Sequence, residues 1–166
     1  MKRVVFLWIL ITCALFTLSS CRALKEPVVV LNDPIENYKY AFVTPTKELT
    51  SSVGGTFGGL YGIYGATSSK SVNPSDIIAG ELMENNFIIL PEIKPELSDK
   101  TLIVNYGESG RRSRGLGYTI EVTIQFISAK THERVCTCTA EGQGETEADD
   151  IRKAIRRALS ELFDDQ

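Results

Sequence analysis

Three guanidiniums crowd one short stretch of this chain, Gly107-Glu108-Ser109-Gly110-Arg111-Arg112-Ser113-Arg114-Gly115-Leu116-Gly117. On a flexible turn, Arg111, Arg112 and Arg114 have the donor geometry to grip carboxylates or phosphates through paired hydrogen bonds. The same residues also read as a solvated strand connection kept soluble by charge, because their spacing matches no phosphate-loop motif. Cys136 and Cys138 stand two apart in a strand pattern, on one face and roughly 6.6 Å between Cα atoms, which strains a disulfide and favours two small buried hydrophobes. The lone histidine, His132, is too far along an extended strand to share a metal ion with Cys136 and has no nucleophile motif beside it. The acidic residues Glu141, Glu145, Glu147, Asp149 and Asp150 lack the alternating spacing of a calcium loop and fit complementation of a helix dipole. No catalytic residue, metal site or cofactor is expected, and the chain reads as a non-enzyme.

The most specific chemistry lies at the amino terminus. Lys2 and Arg3 precede an uncharged, mostly apolar run from Val4 to Leu18, and Leu18-Ser19-Ser20-Cys21 closes it. That is the layout of a secretory signal. The last four residues resemble the bacterial lipobox, which implies cleavage before Cys21 and acylation of its sulfur and freed amine with palmitate-type chains. Two or three chains hold a protein to a bilayer firmly where one holds it marginally. An uncleaved anchor is the competing reading, but Val4 to Ser20 would rise only roughly 25 Å as a helix, short of a roughly 30 Å hydrocarbon core.

Without residues 1–20 the chain keeps 16 basic against 21 acidic residues, a net charge of −5. A mildly acidic domain is a poor nucleic-acid binder. Residues 21–37 read as a tether, with Val28 to Leu31 as either part of it or an edge strand bounded by Pro27 and Pro34. Residues 38–164 are long enough for a single modest core.

Within that domain Tyr38 to Val43 alternates as a strand. Ser51 to Ser71 follows, where glycines interleave with Phe57, Tyr61, Ile63 and Tyr64, and reads as a glycine-rich loop at 51–71. Phe57 and Tyr61 make it a candidate for membrane insertion or partner contact, against the plainer reading of a mobile loop packed on its own domain. Asn73, Pro74 and Asp76 start a helix with Ile78, Leu82, Ile77 and Met83 as its apolar stripe. Phe87 to Leu90 and Thr101 to Tyr106 read as strands. Tyr118 to Phe126 is a long one, apolar at every second residue, returning through His132 into Arg134 to Ala140. Thr146 and Asp149 form a capping box for a last helix, striped by Ile151, Ala154, Ile155, Ala158, Leu159 and Leu162. The fold class is α+β: an antiparallel or mixed sheet of four to five strands with two helices packed on one face.

The hairpin from Tyr118, the run Arg134-Val-Cys-Thr-Cys-Thr and the helix from Glu145 resemble a module of Gram-negative envelope lipoproteins. It is similar in element order to curli-secretion lipoproteins, penicillin-binding-protein activators and the TolB amino-terminal domain. The resemblance spans roughly residues 38–163 and implies a docking or assembly domain at the outer membrane. The sequence departs from several relatives in placing His132 where they have glycine and in having no obvious pore-forming hairpins, so pore function is not carried over. Together these readings describe a lipid-anchored binding or assembly module of the cell envelope, joined to the membrane through Cys21 and to an envelope protein partner. The alternatives are an oligomerising structural subunit and, more weakly, an envelope glycan hydrolase.

Overall fold

The computed structural model describes residues 23–59, 62–114 and 117–164. In chain order the elements are β1 (Val28–Leu31), β2 (Tyr40–Val43), β3 (Leu49–Gly59), β4 (Gly62–Val72), α1 (Pro74–Glu84), β5 (Ile88–Ile89), β6 (Thr101–Arg114), β7 (Gly117–Ser128), β8 (Arg134–Gly142) and α2 (Glu147–Asp164). The strict alternation along β7 decides the layering. Ile120, Val122, Ile124 and Phe126 are fully buried while Glu121, Thr123 and Gln125 stay partly exposed. Each such buried side chain contributes about 1.5–3 kcal/mol of transfer free energy.

β7 lies inside a six-stranded sheet of order β1-β8-β7-β6-β2-β5. β1, β8, β7 and β6 are antiparallel neighbours, whereas β2 runs parallel to both β6 and β5. Both helices cover the face that carries Leu102, Val104, Cys136, Cys138 and Ala140. The α+β class and the mixed sheet are as the sequence implies, with more strands than expected. The additional strand of the sheet is β1, from the segment read as either tether or edge strand, while β5 is only two residues of the expected Phe87–Leu90 strand.

The first correction falls on the tether: of the two readings of Val28–Leu31, the edge strand is the one that holds. Val28–Leu31 pairs with Leu31 opposite Cys136 and Val28 opposite Thr139, and Ile35 is buried in the core. Edge pairing and one apolar anchor therefore fold the chain well before Tyr38. The second correction is the glycine-rich loop. Residues Leu49–Gly59 and Gly62–Val72 form a two-stranded antiparallel ribbon, separate from the main sheet. Along it every glycine faces a residue bearing a Cβ, except where Gly59 faces Gly62. Each strand supplies the regularity that the other's glycines lack.

The third correction concerns residues 107–117. Residues 107–114 continue β6, because β7 supplies ladder partners out to Arg114, which faces Gly117. The glycines there mark a register slip between Glu108 and Gly110, where a sequence pattern alone suggests a break.

The helices begin differently from one another. At α2, Thr146 Oγ1 accepts the Asp149 backbone N–H at 3.2 Å, as the capping box requires. At α1, Asn73 makes no side-chain cap. Thr46 Oγ1 accepts the Ser75 N–H at 2.9 Å and donates to Asn73 Oδ1 at 2.7 Å. A residue 27 positions upstream thus caps α1, and Met83, expected in the stripe, is exposed. The β7–β8 turn holds His132 at φ 58°, a left-handed conformation that usually favours glycine. Its N–H donates to Ser128 O at 2.9 Å.

Gly142 ends β8 where α2 passes closest. A Cβ there would stand 1.9 Å from the Asp150 carbonyl oxygen and 2.6 Å from the Ala154 nitrogen. Only glycine fits.

Candidate functional site

The register slip in β6 positions the arginines. Glu108 faces Val122, but Gly110 faces Glu121, so every later residue of β6 changes face relative to an unbroken strand. Arg112 is thereby opposite Thr119 and shares the open face of the sheet with Glu121 and Glu141. Arg111, opposite Ile120, turns to the helix side, where α2 begins.

Glu141 is the centre of the cluster. Its side chain is 1% exposed, yet it is an ion. Arg112 grips it with both arms of the guanidinium, Nε to Oε1 at 2.9 Å and Nη2 to Oε2 at 2.6 Å. The Lys25 backbone N–H donates to Oε2 at 3.1 Å, and Lys25 Nζ stands 3.7 Å from Oε1. The paired arginine, reinforced by the Lys25 N–H and the Lys25 charge, outweighs burial and holds the Glu141 carboxyl down at about 2. Lys25 Nζ also pairs with Glu121 at 2.7 Å, and Ser109 Oγ reaches Glu121 at 3.3 Å. From α2, Arg157 closes the cluster by donating to Glu141 O at 2.5 Å and to Lys25 O at 3.0 Å.

The other two arginines are engaged in the same manner. Arg111 donates to Glu147 in the first turn of α2 and to Glu108 at 3.3 Å, and its guanidinium lies 5.5 Å from the Tyr118 ring centroid. Arg114 donates to Gln143. All three guanidiniums thus fasten β6 to β8, to α2 or to Gln143 between them. A shallow cleft of about 210 Å³ remains between Lys25, Ser109, Arg112 and Glu121, and an incoming anion would have to displace carboxylates already in place.

The remaining candidates fall apart spatially. Cys136 and Cys138 are free, fully buried and 3.5 Å apart at sulfur. The Cys138 thiol is pushed up, by its contact with Cys136 and then by burial. His132 sits exposed in its turn. Among the described residues no group of three His, Cys, Asp or Glu is placed to hold a metal ion. A second cavity, about 300 Å³, is bordered by Ile35, Tyr38, Phe87 and Phe163, with the two phenylalanine centroids 6.1 Å apart. Phe57 lies in β3 at the register position opposite Tyr64. Cys21 and Tyr61 lie outside the described residues, and no helix among the described residues is long and apolar enough to cross a membrane.

Glu141, Lys25 and Arg157 are the residues that sequence reasoning missed as a unit. Glu141 read as part of an acidic helix start and Lys25 as tether. Their meeting spans 116 residues, and no local spacing signals it.

No protein-family model matches the chain, and none of the curated proteins is similar to it. Among solved structures the chain is similar to a PelC variant dodecamer from Paraburkholderia phytofirmans in space group C2, at TM-score 0.45 and 16% identity over 82% of this chain and 96% of that one. It is also similar to the PelC dodecamer from the same organism in space group P6, at TM-score 0.42 and 14% identity with the same coverage. At those values the likeness carries nothing about function, and the chain is assigned to no family.

Proposed function

We propose that this chain is a non-catalytic structural subunit that oligomerises in the cell envelope, held to the outer membrane by acyl chains on Cys21. The observation that carries the reading is the free edge of β1. Among the described residues it is the outermost strand of the sheet on its side, and Val28, Val30 and Leu31 on it are 56%, 49% and 52% exposed. An apolar edge strand with unpaired backbone groups is a template for another strand. The arginines favour this over the adaptor reading, because each is already engaged with a partner within the chain. Assembly through such an edge closes into a symmetric dimer if two β1 strands pair, and makes a ring or filament otherwise.

Sedimentation of the full chain in mild detergent tests this. The expected result is an assembly larger than a monomer that Val30→Lys disperses. A wild-type monomer at every concentration would overturn the reading and leave a monomeric adaptor in its place. Intact mass and membrane fractionation of the wild type against Cys21→Ala test the anchor. The wild type should begin at an acylated Cys21, and retention of residues 1–20 would exclude that.

A further inference from the structure

The backbone of the sheet selects the surface that can meet the β1 edge. In an antiparallel ladder successive residues turn their N–H and C=O alternately to one neighbour and to the other. Asn32 N donates to Val135 O at 2.8 Å, so Asn32, Val30 and Val28 address β8. Val29 and Leu31 therefore turn their backbone groups away from β8, to a side where the described residues place no further strand. The outward set stops there at both ends. Pro27 has no N–H to offer, and the Asp33 N–H turns back to Val135 O at 3.2 Å.

The opposite edge of the sheet is closed by contrast. Ile88 N donates to Lys39 O at 3.0 Å and Leu90 N to Ala41 O at 2.8 Å, so both residues of β5 and its flank address β2. Of the outward positions, Phe87 gives its N–H to Leu82 O at 3.0 Å and Pro91 has none, which leaves Ile89. Short edges bounded by proline resist the addition of a strand. A head-to-tail join of β1 to β5 would thus draw on a single donor from β5.

A second β1 complements the first. A two-fold axis along the strands would set identical groups at equal height, N–H against N–H, so two copies can pair only antiparallel. With Val29 on the axis, Leu31 would face Pro27 and lose a donor. With Leu31 on the axis, Val29 would face Asp33, whose N–H is already given to Val135. With Val30 on the axis, Val29 of each copy faces Leu31 of the other, and every outward N–H meets an outward carbonyl. Side chains agree with that register. Val30 meets Val30 of the second copy on the helix-free face. Leu31, half-exposed although it shares a face with the core-packed Val29, gains Val29 of the second copy as its neighbour. No charged residue lies between Glu26 and Asp33 to oppose the approach.

We infer that two copies of this chain pair antiparallel through β1, in the one register that puts Val30 on a two-fold axis. The axis stands perpendicular to the sheet, joins the two six-stranded sheets into one and leaves both helix layers on the same side. The inference rests on the proposed assembly through the β1 edge and gives it a partner surface and a symmetry.

Disulfide trapping tests the register in the full chain, in mild detergent, with Val30→Cys and Val28→Cys as separate variants. Across the axis Val30 forms a non-hydrogen-bonded pair with Cα atoms about 4.5 Å apart, within the span of a disulfide. The two Val28 positions are offset by four residues, about 13 Å, beyond that span. Native Cys136 and Cys138 are buried, and the wild-type chain treated alike gives the background. Mild oxidation is expected to link most of the Val30→Cys chain into dimers and to leave Val28→Cys at background, while sedimentation of the reduced chains gives a dimer. An oligomer in which Val30→Cys stays unlinked overturns the inference alone and assigns assembly to another surface. Equal linking of both variants overturns the register, and a sedimenting species larger than a dimer overturns the two-fold closure. A monomer that links at neither position overturns the inference and the oligomeric role together. Thermal unfolding of each reduced variant, expected at the wild-type midpoint, guards against a folding defect.

Discussion

Two long hairpins touch the first turn of α2, and they are built on opposite plans. The outer half of β6–β7 is crowded with charge, and each arginine on it reaches a carboxylate or amide of β8, α2 or the segment between them. The β3–β4 ribbon has no charge along 21 residues and meets the domain mainly at its base. The difference shows where ordering free energy comes from. A charged hairpin is immobilised by partners in its own chain, and an uncharged one must find cover elsewhere or stay costly to order.

The comparison breaks most severely at Gly142, which lets β8 approach α2 and so brings Glu141 and Gln143 within reach of the arginines. Gly142→Ala sets a Cβ against backbone atoms that cannot rotate away, and a loss of about 3 kcal/mol is expected in the urea unfolding free energy. An unchanged midpoint would show that β8 and α2 separate freely. The next largest effect is expected at Glu141. Glu141→Gln removes the ion that Arg112 and the Lys25 N–H share, for a loss of about 2 kcal/mol, discounted because Arg112 is partly exposed.

The same carboxylate gives a pH signature. Because Arg112 holds Glu141 at about 2, below the ordinary 4.5, its stabilising contribution is complete above pH 4.5 and fades as pH falls toward 2. Wild-type stability should drop through that window more steeply than that of Glu141→Gln, as followed by unfolding midpoints at stepped pH. Parallel curves would remove Glu141 from the account. The smallest effect is expected on the ribbon, where Phe57→Ala should move the unfolding free energy of the detergent-solubilised chain by less than about 0.5 kcal/mol. A loss of core size would mean that the ribbon packs on the domain after all.

Much of the core was legible without coordinates. The alternation of Ile120 to Phe126 required a strand buried on one face, and the stripe from Ile151 to Leu162 required a helix lying on it. In both cases the periodicity of side chains is the periodicity of the element. Thr146 and Asp149 announced the start of α2 for the same local reason. Thr46 as the cap of α1 was not legible, nor was the pairing of Val28–Leu31 with β8, because each joins segments far apart in the chain. The ribbon was hidden differently: its glycines suppress the local strand signal, and only the facing strand restores it.

At the candidate site, the sequence by itself determined that Arg111, Arg112 and Arg114 stand close together, that Cys136 and Cys138 share a face, and that Cys21 completes a lipobox-like motif. Residue type and neighbour spacing suffice for those statements. Only the tertiary structure decided what the arginines do. One added residue at the Glu108–Gly110 slip turns Arg112 toward Glu141 and Arg111 toward α2. A change of face at one position is invisible to composition, yet it selects the partner of every charge beyond it, because a strand's side chains alternate and the ions they can reach alternate with them.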